Sequence, residues 1–484
     1  MIGLARLRRL LRRASPAPSE GAPPRERTVD VRIAAPLFAE VRAHVEDFSR
    51  GEEAGYLICA SSRLPHRDVL LAREWIAIPD SAITRGAHGS VLSWSSEFNS
   101  EILAHALGLG ATPVLVHSHG TANPGFSADD RAKERPLFGA FSRITEPLST
   151  GTLLLGDVGA AGSFWIDGRN DLPFRRLVIV GETIETWHSS SARPPLRDRR
   201  ERLARQTIAI GPDSEPKLSD ARVAVIGVSG GGSHVIQQLA HLGVGTLIPI
   251  DEQTVEESNL GRLVGAVHTD IDTTLKVDVA KRVATGIDPS IEVLAVAERF
   301  PSPRAIDALK GADIIVASLD RFDAREGVNA FCRRYLIPLV DIGMEIRSAC
   351  EHLAIADGQL IVSRPAEACL RCWFINDAVL ERERRERPPG YDRNPDAPGD
   401  PQVVSMNGVL ASEACNCVLD LITGYSGGRR GPNTFWQYEG RTGRLEQCEL
   451  PSRRKDCLAC AEEGLGDANP KSPPASDAAV GQGA

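Results

Sequence analysis

Short apolar runs alternate along this chain with segments whose apolar positions recur at helical spacing. Val223–Ile226 is a β-branched run of the kind a buried parallel strand needs. Gly227, Gly230, Gly231 and Gly232 follow, and Ser233–Leu242 then carries Val235, Ile236, Leu239 and Leu242 on one helical face. A further apolar run, Thr246–Ile250, closes on Asp251. Beyond it the pattern predicts a helix over Thr274–Thr285, a strand over Ile291–Ala297 and a helix over Arg304–Leu309. A strand over Ile314–Ala317, a helix over Phe322–Tyr335 and a strand over Pro338–Asp341 follow. Strands alternating with helices give a parallel, doubly wound sheet.

Upstream, Ala35–Phe48 reads as a helix, Tyr56–Ala60 as a strand, Glu97–Leu107 as a helix and Val114–Val116 as a short buried strand. The expected organisation is a basic, Pro-rich disordered tail over 1–27 and an α/β domain over 28–188. A linker over 189–199, the doubly wound domain over 200–463 and a disordered tail from 464 to 484 complete it. The arginine-rich start also fits an organellar presequence, or a short amphipathic helix that touches a membrane or partner.

Composition narrows the field. A net charge of −8 gives no reason to expect nucleic acid. No apolar run approaches the roughly 18–20 residues that span a bilayer. Ten cysteines are too few for a disulfide scaffold in a chain of 484 residues. Two CxxC pairs among them point to a metal and a reducing, cytoplasmic compartment.

Two constellations carry chemistry. In the first, the Val114–Val116 strand delivers His117-Ser118-His119, and Ser127 and Asp130 follow. Imidazoles at i and i+2 on a strand end point the same way and suit zinc. Asp130 can complete three protein ligands, leaving a fourth position for water, as catalytic zinc requires. Glu52 is placed to act as general base if its strand lies beside His117, and Ser127 can donate to an oxyanion. Glu53 and Asp129 are second choices to Glu52 and Asp130. The pattern H-x-H-x7-S-x2-D, with E-x-x-G before an apolar strand, resembles the JAMM motif of the JAB/MPN metalloprotease family at every position. The resemblance implies a cytidine-deaminase-like α/β fold and a zinc peptidase or isopeptidase. Such an enzyme cuts after the C-terminal glycine of a ubiquitin-like protein. His117, His119 and Asp130 match the zinc ligands, Glu52 the base and Ser127 the oxyanion donor.

The second constellation surrounds the glycine turn. Glycines let a backbone approach phosphate at a helix N-terminus, and Asp251 lies where a carboxylate holds ribose hydroxyls. Arg262 and Lys276 are candidate phosphate clamps, and Asp320, at a strand's carboxyl end, a candidate magnesium ligand. Arg202-x-x-Arg205-Gln206 precedes the turn, so an arginine there can reach a phosphate. Cys369, Cys372, Cys457 and Cys460 supply four thiolates, enough for closed tetrahedral zinc, with a redox pair as the other reading.

Together these motifs resemble the ThiF/MoeB family of ubiquitin-like-protein activating enzymes, with a Rossmann-like fold. They are R-x-x-R-Q, the glycine turn, E-S-N-L-x-R, the helix lysine, L-D-x-x-x-x-R and the paired CxxC. The resemblance implies ATP- and magnesium-dependent adenylation of a C-terminal glycine. Gly227, Ser229, Gly230, Gly232, Asp251, Asn259, Arg262 and Lys276 then hold ATP, Asp320 holds magnesium, and Arg205 acts as an arginine finger. A homodimer through this domain often supplies that arginine. Two departures stand out. Ser229 replaces the usual second glycine, and the loop Asn376–Val404, Arg/Pro/Asp-rich and expected to be mobile, lacks the cysteine that conjugating members use. Ser405 at its exit is a possible ester acceptor that needs a base, and Cys415 and Cys417 can accept an acyl group only if exposed.

The sequence therefore predicts a bifunctional enzyme of a bacterial ubiquitin-like pathway that trims or deconjugates a β-grasp protein ending in Gly-Gly and adenylates its terminal glycine, with a conjugating-enzyme homologue as a further partner. Activation of a sulfur carrier for biosynthesis is the alternative, and a non-catalytic scaffold is a third reading. No nucleic acid or membrane is expected.

Overall fold

The computed structural model describes residues 27–47, 52–85, 91–119, 124–189, 200–349, 352–386, 401–430, 434–449 and 452–468. Residues 1–26 of the expected basic tail and 190–199 of the expected linker lie outside the described residues. No helix among the described residues is long and apolar enough to cross a membrane.

The first half of the chain supplies strands β1 (Thr28–Ala34), β2 (Ala54–Leu64), β3 (Arg67–Ala77), β4 (Ile83–Arg85) and β5 (Val91–Trp94). It continues with β6 (Thr112–Ser118), β7 (Thr150–Leu155), β8 (Ala160–Ile166), β9 (Arg169–Val180) and β10 (Ile184–His188). Eight of them form one sheet in the order β1-β3-β2-β6-β7-β8-β9-β10, and a further parallel pairing of β1 with β9 curls it back on itself. The helices Ala35–Val45, Ser96–Gly108 and Ala128–Ile144 pack on it. In β2, Ala54–Ser62 is buried without alternation, because the strand is covered on both faces.

The second half supplies β11 (Arg222–Ile226), β12 (Thr246–Ile250), β13 (Glu292–Val293), β14 (Ile314–Ser318), β15 (Leu339–Ala349), β16 (His352–Ser363), β17 (Thr434–Glu439) and β18 (Arg444–Cys448). Their order is β13-β12-β11-β14-β15-β16-β17-β18. The first five are parallel, as the alternation predicts, and β16 to β18 extend the sheet antiparallel. The strand expected over Ile291–Ala297 shrinks to Glu292–Val293 plus an isolated bridge from Val296 to Ile250, because it is an edge strand with one neighbour. The loop expected from Asn376 begins instead as a helix, Asp377–Glu386. Residues 387–400 lie outside the described residues.

The two sheets share a core. Val69 and Leu71 of β3 belong to the same buried cluster as Phe331, Tyr335 and Leu336. Charges cross the seam beside it. Arg32 donates to the carbonyls of Tyr335 and Ala312 at 2.7 and 3.0 Å. Arg176, 2% exposed, pairs with Asp30 at 3.1 Å and with Asp313 at 2.6 Å. Burial pushes the carboxyls of Asp30 and Asp313 up, but Arg176 and neighbouring guanidiniums outweigh it and hold both below the usual carboxylate range.

Of the disordered tail expected over 464–484, residues 464–468 are ordered and 469–484 lie outside the described residues. Gly464 and Gly466 donate to the carbonyls of Arg333 and Arg334, and the Asp467 amide donates to Ser61. The Asp467 carboxylate accepts from the Arg63 amide at 2.8 Å and the Tyr335 hydroxyl at 2.7 Å, and pairs with Lys310. A segment with polar composition is ordered here because its backbone groups find buried partners.

Removing one partner of a buried pair leaves a charge without compensation. Asp313→Ala is expected to destabilise the chain by about 3–5 kcal/mol, read by denaturant titration. Because Asp30 and Asp313 titrate below their unfolded values, their contribution is complete above a pH of about 4 and lost as pH falls further. The midpoint should drop across that window, less steeply in Asp313→Asn.

Candidate functional site

Antiparallel pairing of β2 with β6 places Ala54 opposite His117, which brings the residues just before β2 to the end of β6. There Glu52 Oε1 lies 3.5 Å from His119 Nε2. Glu53 turns away and lies 3.9 Å from His44. The third member arrives on the helix Ala128–Ile144. Ser127 caps this helix, accepting from the Asp130 amide at 3.1 Å, while the Ser127 amide and hydroxyl both donate to Asp130 Oδ2 at 2.7 Å. The cap therefore fixes the carboxylate that faces the imidazoles. Asp130 Oδ1 is 3.6 Å from His117 Nε2 and Oδ2 is 3.5 Å from His119 Nε2. Asp129 points elsewhere, to Lys133.

One donor atom each from His117, His119 and Asp130 lies within 4.8 Å of the others. Tetrahedral zinc with bonds of about 2.0–2.1 Å needs ligand separations of roughly 3.3 Å, so the set fits with a small inward shift. Both ring nitrogens of His117 are buried without a hydrogen-bond partner, which a metal at Nε2 would relieve. Burial raises the Asp130 carboxyl, but the neighbouring His117 imidazole and the hydrogen bonds from Ser127 hold it low, so it is an anion. The Ser127 hydroxyl is engaged with Asp130, so an oxyanion role requires that bond to be given up.

The glycine turn joins β11 to the helix Gly230–Leu242. Gly227 has φ of +84°, and a side chain there would strike the Ser318 carbonyl of neighbouring β14. At Gly232 a side chain would strike the Gly227 carbonyl, so the turn folds tightly over its own helix start. Asp251 does something that its position past β12 did not reveal. Its carboxylate accepts from the Val228 amide at 2.9 Å and from the Gln253 amide at 2.9 Å, tying the turn to the end of the next strand. Ser229 precedes the helix, and its buried hydroxyl has no hydrogen-bond partner. The Asn407 amide lies close over Gly230, a contact across the fold with no local sequence signal.

Lys276, 3% exposed, donates to Gln253 Oε1 at 2.7 Å. Burial lowers its pKa, while Asp251, Glu256 and Asp320 oppose that shift and Arg262 adds to it. Three other charges expected around one nucleotide, Asp251, Arg262 and Asp320, thus lie within electrostatic reach of Lys276. Arg262 is half-buried and donates to the Ser258 carbonyl, Asn259 is buried and accepts from the Glu256 amide, and Asp320 is exposed.

The four cysteines also converge. Cys369 Sγ lies 3.9 Å from Cys372 and 3.5 Å from Cys457, and Cys372 lies 3.6 Å from Cys460. Disulfides need sulfurs about 2.05 Å apart. Tetrahedral zinc with bonds of about 2.3 Å needs edges of roughly 3.8 Å, so the cluster fits zinc. Hydrogen bonding from Cys372 pulls the Cys369 thiol down to about 6.

Arg205 stands apart from the turn, and the expected acyl acceptors differ in exposure. Arg205 is exposed on the helix Arg200–Ile210, whose Arg202 and Gln206 bind the carbonyls of His241 and Leu242 at the far end of the glycine helix. That helix has 13 residues, about 20 Å, so Arg205 does not reach its own chain's turn. Cys415 and Cys417 do not meet the condition set for acyl acceptors. They are buried in the helix Val404–Thr423, and burial raises both thiols, Cys417 to about 12. Ser405 is exposed at the start of the same helix.

Comparison with known proteins agrees with both units. Residues 203–459, over half the chain, match the ThiF family, and residues 34–168 match prokaryotic homologs of the JAB domain. The chain is 36% identical over 168 residues to the SAMP-activating enzyme E1 of Haloferax volcanii, spanning 34% of this chain and 57% of that protein. It is 32% identical over 188 residues to the sulfur carrier protein ThiS adenylyltransferase of Escherichia coli, spanning 38% of this chain and 71% of that one. Molybdopterin-synthase adenylyltransferase of Escherichia coli is 32% identical over 256 residues, 52% of this chain and 91% of that protein.

The two ligand sets predict separable metal contents. Metal analysis of the purified chain should find two zinc ions, falling by one in His119→Ala and by one in Cys369→Ser, with both lost in the double variant.

Proposed function

This chain belongs to the ThiF family and carries a prokaryotic JAB-type domain ahead of the ThiF unit, and on that premise we propose that it trims and then adenylates one ubiquitin-like or sulfur-carrier protein. The observation that supports the second step is that Asp251, which braces the glycine turn, lies with Arg262 and Asp320 within electrostatic reach of Lys276. The exposed glycine carboxylate attacks the α-phosphate of ATP, the bond to the β-phosphate breaks, and pyrophosphate leaves. Backbone amides at the turn and the unpartnered Ser229 hydroxyl receive phosphate oxygens. Lys276, Arg262 and Asn259 neutralise and orient the phosphates, Asp251 holds the ribose with its remaining lone pairs, and Asp320 holds magnesium. Arg205 serves the pocket of a second copy, which its distance from its own turn favours.

In the first step Glu52 takes the proton of the attacking water and passes it to the leaving amine. Zinc, when held by His117, His119 and Asp130, supplies a water acidified towards a pKa of about 7. Ser127 keeps Asp130 oriented. Both steps need an extended Gly-Gly end, which gives a physical reason to join them in one chain.

No cysteine occurs between Asn376 and Val404, and Cys415 and Cys417 are buried. Direct hand-off of the adenylate to another protein follows, and this favours a sulfur-carrier pathway over conjugation through a thioester on this chain. A thioester trapped on the chain in a non-reducing gel would reverse that preference.

ATP–pyrophosphate exchange should appear only with magnesium and a Gly-Gly-ended carrier, and Asp320→Ala should lower it by at least about a hundredfold. Undiminished exchange in that variant, or none in the unaltered chain, refutes adenylation. Glu52→Ala should abolish cleavage of a carrier extended past its glycine while retaining both zinc ions; cleavage that persists refutes the assigned base.

A further inference from the structure

A cavity of about 270 Å³ opens beside the metal centre, between the helix Ala128–Ile144 and the sheet. Its rim includes Glu52, His117 and Asp130. Its walls are Trp94, Pro136 and Leu137, and the core residues Leu115, Phe138 and Thr152 close its floor. A volume equal to roughly nine waters suits one large side chain rather than a whole ligand. Leu115, Phe138 and Thr152 are at most 5% exposed, so a chain that enters does not pass through.

The peptidase reading leaves this cavity without an occupant. The glycines that precede the cut have no side chain to fill it. We propose that the cavity is the subsite for the residue that follows the cut, and that this residue is large and apolar, in a linear precursor. This rests on the peptidase reading above. Apolar walls reward an aromatic or aliphatic side chain by removing it from water. Glu52, Asp130 and Glu134 also line the cavity, and their carboxylates disfavour an acidic residue. Lys133, the cation among the lining residues, is paired with Asp129 at 2.6 Å. A lysine joined through its own Nζ fits worse, because its stem must emerge again to meet its backbone. The subsite therefore selects precursor maturation over release from lysine side chains.

The test uses the full zinc-loaded chain and labelled tail peptides ending Gly-Gly-X, with X as Phe, Leu, Ala or Asp, beside a lysine isopeptide of the same tail. Binding is read by fluorescence anisotropy in the Glu52→Ala variant, so it does not depend on turnover. Phe and Leu peptides should bind tenfold or more tighter than the Asp peptide and the isopeptide. Leu137→Trp, which fills the cavity, and Trp94→Ala, which removes a wall, should each bring the Phe peptide down to the Ala peptide's affinity. Zinc content and circular dichroism report folding of both variants. Equal affinity across the series, or a ranking untouched by both variants, overturns the subsite. Cleavage by the unaltered chain is scored separately. Ranked binding without cleavage would sink the peptidase reading and leave the subsite standing, whereas cleavage without ranked binding would do the reverse.

Discussion

Arg176 is the group on which the arrangement of the two halves depends. A guanidinium this deeply buried is tolerated only if carboxylates surround it, and here one comes from each sheet, Asp30 and Asp313. The apolar contact of Val69 and Leu71 with the Phe331 cluster supplies the bulk of the attraction across the seam. It is non-directional, and two apolar faces slide. The ion pairs and the Arg32 bonds to the Tyr335 and Ala312 carbonyls are directional, and they fix one orientation. The metal centre and the glycine turn are thus held on one rigid body.

Both centres use the same local device. A strand ends, its chain turns sharply, and polar groups that the ladder no longer occupies point outward. In the first half the end of β6 presents His117, and the pairing with β2 brings Glu52 alongside. In the second half the end of β11 presents the glycine turn, and the end of β12 presents Asp251, which braces that turn by accepting from the Val228 amide. A helix start completes each centre, capped by Ser127 in one and opened for an anion after Ser229 in the other. Helix starts draw negative charge, which suits a ligand carboxylate at Asp130 and phosphate at Gly230.

Much of this was legible locally. Apolar periodicity located the parallel strands and their helices, and motif spacing located the two side-chain clusters that could hold a metal. What escaped depended on partners distant in sequence. The curl of β1 onto β9 and the antiparallel extension through β16 to β18 are pairings that periodicity does not encode. Arg32 and Arg176 lie in strands, where isolated charges read as solvated positions; only the other half of the molecule shows why they are buried. Asp251 read as a ribose ligand, and its bracing of the turn needed the Val228 amide to be seen. The edge strand after Ile291 kept its apolar pattern but only two residues of ladder, since one neighbour supports less pairing than two. The cavity wall of Trp94, Leu115 and Leu137 comes from three separate elements, so no window of sequence displays it.

The Arg63–Asp467 bond joins positions 404 residues apart. On the ribosome, at about 5–20 residues per second, the end of β2 waits roughly 20–80 s for that partner to be made. Val69 and Leu71 lack their cover until Phe331, Tyr335 and Leu336 are made, so until then the nascent first sheet presents an apolar face to solvent. The seam therefore closes late, because its two sides lie far apart along the chain.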